Sequence, residues 1–196
     1  MPSVTSDQQR QERYAGVHQA GLKVIMKPLE PPDSIYLRAA EGWLGLGDHI
    51  EANEELEKIT PQLRTHPDVL EMRWHIYAKE NKWEACADIA RAVTKIAPER
   101  PDGWIHLAYS LRRAKGGGLQ AAWDALLPVA ENFPTVTIIP YNLSCYAAQM
   151  NRLDGARDWL KKAFAIGRKT KCFDQIRLMA LNDPDLKPLW DQIGEL

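Results

Sequence analysis

The residues of this 196-residue chain whose types could do chemistry are a thiol at Cys145, two more at Cys86 and Cys172, five histidines and three consecutive glycines at 116–118. A nucleophilic thiol needs a base beside it and an electropositive pocket. A zinc site needs ligands at fixed spacing, and a phosphate cradle needs a glycine turn that follows a strand and ends in GK[ST]. None of these patterns is complete. His18, His49, His66, His75 and His106 form no HExxH pair, the cysteines form no CxxC pair, and "AKGGGLQAAW" lacks both the strand and the GK[ST] tail. No catalytic residue, metal or cofactor is expected, and the thiols read as small packing residues.

Composition narrows the remaining classes. Hydrophobic residues are 45% and charged residues 26%, the usage of a globular domain. The formal net charge of −1 supplies no field that would gather a polyanion, which argues against nucleic acid. An odd number of cysteines fits free thiols in a reducing compartment. The polar opening "MPSVTSDQQRQERYAG" and the short run "GLKVIM", flanked by lysines, do not make a signal segment, and no stretch approaches the length of a membrane span. The expectation is a soluble, cytoplasmic protein with no membrane partner.

The elements that must position any site follow from a period of 34. Tyr36, Leu70 and Trp104 recur at that spacing, each followed four residues later by Ala40, Trp74 and Ala108. Ala52, Cys86, Ala122 and Ala156 are spaced 34, 36 and 34, and Leu56, Ala90, Leu126 and Leu160 follow each by four. The two extra residues fall in the glycine-rich turn at 116–118. Within each unit, apolar or small residues recur at three and four, the helical period, twice per unit. Pro-Asp at 67–68 and 101–102 opens two of the first helices, proline at a first-turn position and aspartate against the positive helix end. The units are helical hairpins at 33–66, 67–100, 101–136 and 137–170. Residues 1–32 precede them, with a helix or irregular chain over 11–26, and 171–196 form a cap. In that cap Phe173, Ile176, Met179 and Ala180 share a face and Leu186, Leu189, Trp190 and Ile193 follow a proline-broken turn.

The pattern resembles the tetratricopeptide repeat family, bulky at position 4, small at 8, large at 11, alanine at 20, large at 24 and small at 27. In the third unit these are Trp104, Ala108, Leu111, Ala122, Leu126 and Val129; the fourth unit, "YNLSCYAAQMNRLDGARDWLKKAF", matches through Leu143, Ser144, Ala156, Leu160 and Ala163. Trp74 departs from it, standing where a small residue belongs and leaving local packing of the second unit open. The resemblance implies an all-α, right-handed α-solenoid of about four helix-turn-helix repeats with a C-terminal capping helix, and no enzyme activity.

It also implies where a ligand lies. First helices of such repeats line a concave groove that holds segments of partner proteins. By position these residues are Leu37, Glu41 and Leu44, then Glu71, His75 and Lys79, then Ile105, Tyr109, Arg112 and Arg113, then Tyr141, Cys145 and Gln149, with Asn142 adjoining. Glu71, His75, Ile105, Tyr109, Arg112, Arg113, Tyr141, Asn142 and Gln149 are the candidate partner-binding residues. Tyr109, Arg112, Arg113, Tyr141 and Asn142 form the richest cluster, because aromatic and arginine side chains anchor interfaces. The carboxylate clamp of chaperone-binding members is not expected, since Ile105 and Tyr109 stand where it needs lysine and asparagine. Charge is uneven: "DHIEANEELEKI" is acidic, whereas Arg152, Arg157, Lys161, Lys162, Arg168, Lys169 and Lys171 are basic. Two readings follow. One is a scaffold, an adaptor or small chaperone, that captures a protein or peptide. The other is a self-associating structural protein, such as a homodimer, whose groove is filled by its own chain or a second copy.

Overall fold

The computed structural model describes residues 27–196, and the expected helix or irregular chain over 11–26 lies outside them. Nine α-helices follow one another in chain order and no strand occurs among the described residues. They are α1 (Asp33–Gly45), α2 (His49–Lys58), α3 (Pro67–Lys79), α4 (Trp83–Ile96), α5 (Pro101–Arg113), α6 (Leu119–Leu126), α7 (Ile138–Gln149), α8 (Leu153–Thr170) and α9 (Phe173–Asn182). A 3-10 stretch, Pro184–Glu195, ends the chain and is called the strap below. Each helix packs on the next, so the fold is an all-α stack of neighbouring pairs.

The turns inside the pairs share one chemistry. Gly47, Asn81 and Asn151 have φ of 88°, 57° and 59°, the left-handed region that glycine and asparagine tolerate best. One residue on, Asp48, Lys82 and Arg152 donate their backbone N–H to the carbonyls of Trp43, Tyr77 and Ala147, each five residues back. This is the Schellman closure that satisfies otherwise orphaned carbonyls at a helix end. In the third pair the closing bond runs from Gly118 N–H to the Leu111 carbonyl, seven residues back, at 2.9 Å. The two inserted residues are thus absorbed in the turn and the helices keep their register.

The small residues at the repeat spacing let the helices approach. Ala40, Ala52, Cys86, Ala108, Ala122 and Ala156 are completely buried, as are Leu56, Leu126 and Leu160. Trp74, at a position where the pattern expects a small residue, is also buried. Its Nε1–H donates to Ser110 Oγ at 2.9 Å and its ring lies flat on His106, centroids 3.8 Å apart. A large ring fits there because Ser110, its neighbour on the first helix of the next pair, is small and supplies the acceptor that a buried indole needs.

The cap departs from a single helix. α9 packs on α8 through Ile176 and Ala180, while Met179, expected on the same face, is 39% exposed. The strap then turns back and packs on α7, with Leu186, Leu189 and Ile193 buried and Trp190 Nε1–H donating to the Ala180 carbonyl at 3.0 Å.

Candidate partner-binding surface

The first helices of the pairs, α1, α3, α5 and α7, carry the candidate residues on one face of the stack. Two adjoining hollows mark its open part. The larger, about 510 Å³, lies between Leu37, Glu41, Leu44 and Gly45 of α1 and Asp68, Glu71, Met72 and His75 of α3. The second, about 240 Å³, adds Trp74, Ala78, Lys79, Trp83 and Tyr109. Both include Leu44 and His75, so one trough crosses from α1 over α3 to α5.

Carboxylates line the α1–α3 end of the trough. Glu71 accepts from Arg100 Nη2 at 2.6 Å, and the other nitrogen of the same guanidinium bonds Asp68. Burial raises the Glu71 carboxyl above its ordinary range, Arg100 opposing, because the charged form loses water there. Aromatic rings line the α5 end. His75 stands edge-on to Trp74 and to His106, at 5.1 and 5.2 Å. Burial lowers the pKa of His75, and burial together with the positive charges of His75 and Arg100 lowers that of His106 to about 4. Tyr109, 37% exposed, is edge-on to Trp83, and the Arg113 guanidinium sits 3.5 Å from the Tyr109 ring centroid.

The remaining candidates meet the chain's own strap. Arg112 makes a bidentate pair with Asp185, its Nη2 at 2.7 Å from Oδ1, and lies over the Tyr146 ring. Tyr141 O–H donates to Asp183 Oδ2 at 2.8 Å, and the Gln149 side-chain amide donates to the Asp185 carbonyl at 3.0 Å. Cys145 is buried with its Sγ 3.5 Å from the same Asp183 oxygen. Burial and the two aspartates push its thiol up, and burial pushes the Cys86 thiol up to about 11, so both stay protonated at neutral pH. Asn142 and Ile105 are half-buried, Ile105 against the C-terminal core.

The cluster read from the sequence as one surface is therefore divided. Glu71, His75 and Tyr109 line the open trough, with Arg113 over the Tyr109 ring; Arg112, Tyr141 and Gln149 hold the strap. Asp183, Asp185, Met72, Trp74 and Trp83 were not among the residues expected at the site. For Trp74 a signal existed, since an indole at a small-residue position must push a ring toward a neighbour. Asp183 and Asp185, two acids beside prolines in a cap, carried none.

No family model matches the chain, and no curated protein matches it. Among solved structures, the crystal structure of TTC0263, a thermophilic TPR protein in Thermus thermophilus, is similar over 84% of this chain and 100% of that chain. The TM-score is 0.59 and the sequence identity 16%. The likeness is one of fold: the chain has the helical-repeat architecture of a tetratricopeptide solenoid.

Proposed function

We propose that this solenoid is a non-enzymatic interaction scaffold that holds a segment of a partner protein along α1, α3 and α5. One observation carries the reading: a continuous trough, with apolar side chains Leu37, Leu44 and Met72 at one end and Trp83 and Tyr109 at the other, lies open on that face. A concave surface with an apolar floor and a few directed polar groups is what segment recognition requires. No helix among the described residues is long and apolar enough to cross a membrane. With three free thiols, a reducing compartment such as the cytoplasm belongs to this reading.

The test is site-specific photo-crosslinking in cells. A crosslinker at Met72 is expected to trap a partner, lost when Tyr109→Ala and Leu44→Glu are combined without loss of helicity, and a crosslinker at Tyr109 in the otherwise unchanged chain is expected to trap the same partner. A crosslinker outside the trough, at Lys162 of α8, is expected not to trap that partner. Equal trapping from Lys162, or none from the trough, refutes the scaffold.

The strap favours a second reading for the α7 end alone. There the groove is filled by the chain itself through Asp183 and Asp185, so that part serves architecture rather than capture.

A further inference from the structure

The two ends of the inner face have opposite charge, and one of them already holds a ligand-like segment. At the α5–α7 end a cation, a phenol and an amide (Arg112, Tyr141 and Gln149) hold an acidic stretch, Asp183 to Asp185. The strap is thus an internal example of what that surface accepts: carboxylates followed by apolar anchors, Leu186 and Leu189, buried beside them. The open end is built with the sign reversed. Glu41, Asp68 and Glu71 line the trough, with Asp102 close enough to raise the Glu71 carboxyl further. Arg100 pairs with Asp68 and Glu71, and Lys79 lines the adjoining hollow, so that three carboxylates face two cations and Glu41 stands outside the Arg100 pairing. Leu37, Leu44 and Met72 lie among these carboxylates.

We infer that the open trough takes a short partner segment in which a basic residue stands between apolar ones, the basic group over Glu41 and Glu71 and a large apolar side chain against Trp83 and Tyr109. The inference rests on the scaffold reading and adds its partner chemistry. Crossing three helices at the usual 8–10 Å separation covers roughly 20 Å, which about six extended residues span. Arginine suits the site better than lysine, because a planar fork can bridge two carboxylates. An acidic segment is rejected, since it would bring further negative charge beside Glu41 and the partly desolvated Glu71.

Isothermal titration of the full chain tests this with two synthetic peptides, acetyl-Gly-Leu-Arg-Leu-Ala-Phe-Gly-amide and the same peptide with Glu in place of Arg. The arginine peptide is expected to bind at least about tenfold more tightly. Glu41→Lys is expected to weaken the arginine peptide about tenfold and to strengthen the glutamate peptide, with an unchanged circular dichroism spectrum. Equal binding of the two peptides, or preference for glutamate, overturns the inference; if Tyr109 crosslinks still trap a partner, the scaffold reading survives that failure.

Two other occupants are separable. Residues 21–27 of the chain, GLKVIMK, have the same apolar and basic character. If the arginine peptide binds only to the full-length variant combining Val24→Asp with Ile25→Asp, the trough belongs to the chain's own segment and the inference is overturned. A dimer in light scattering that Glu41→Lys dissociates assigns the trough to a second copy and also overturns it.

Discussion

His106 lies flat on Trp74 and edge-on to His75, with Arg100 also raising the cost of charging it. Its pKa, lowered from 6.5 to about 4, makes this imidazole a stability sensor. The fold favours the neutral ring, so its contribution is fully present above the unfolded value near 6.5. As pH falls toward 4 the unfolded chain takes up the proton first and the contribution is lost; below 4 it changes no further. The loss is on the order of 3 kcal/mol. His75, shifted in the same direction by burial, adds to it. Urea unfolding at pH 7 and pH 4.5 should show this decline in the wild type and a smaller one in His106→Phe; equal declines would mean that the ring is not desolvated as the stack implies. The sequence disclosed that Trp74 broke the pattern. It could not disclose that the broken position is accommodated by a serine and a histidine 36 and 32 residues further on, because neither partner breaks a pattern of its own.

Elements were the most legible scale. Alanines and leucines at a spacing of 34 identified the helix pairs because close helix approach and the helical period both constrain residue type, and the buried Ala52, Cys86, Ala122 and Ala156 lie where that spacing put them. The glycine-rich turn was legible as an insertion and illegible as a conformation. Its geometry makes a sharp prediction. A Cβ on Gly117 would stand 1.9 Å from the Leu111 carbonyl oxygen, a backbone atom that also accepts the closing bond from Gly118. Gly117→Ala should therefore cost about 2 kcal/mol and lower the melting temperature by roughly 5 °C. Gly116, with φ 76° and open space around its Cβ position, should accept asparagine with little loss. A thermal melt of Gly117→Ala equal to the wild type would show that the turn rebuilds freely.

At the scale of the whole molecule, the sequence located a cap but not the face it takes. The buried leucines of the strap were readable as apolar residues in need of cover; their return across α7 depends on Asp185 finding Arg112, a pairing of residues 73 apart with no local signature. Both partners are largely buried, with side chains 23% and 21% exposed. Arg112→Ala leaves Asp185 without its cation and should cost about 2 kcal/mol in chemical denaturation. Arg112→Lys should restore only part of it, because an ammonium cannot make the two parallel bonds. Hydrogen exchange should quicken in the strap and α9 of Arg112→Ala while α1 keeps its protection; uniform quickening would mean that the contact stabilises the chain as a whole.

In a stack of repeats each unit ordinarily touches only its neighbours, so that the chain can open from either end. The bond from α5 to the strap passes over an entire helix pair. Consequently the molecule has a polarity under load: drawn apart between Asp33 and Leu196, the α1 end can peel away helix by helix, whereas the last two pairs are buckled together and must yield at one break.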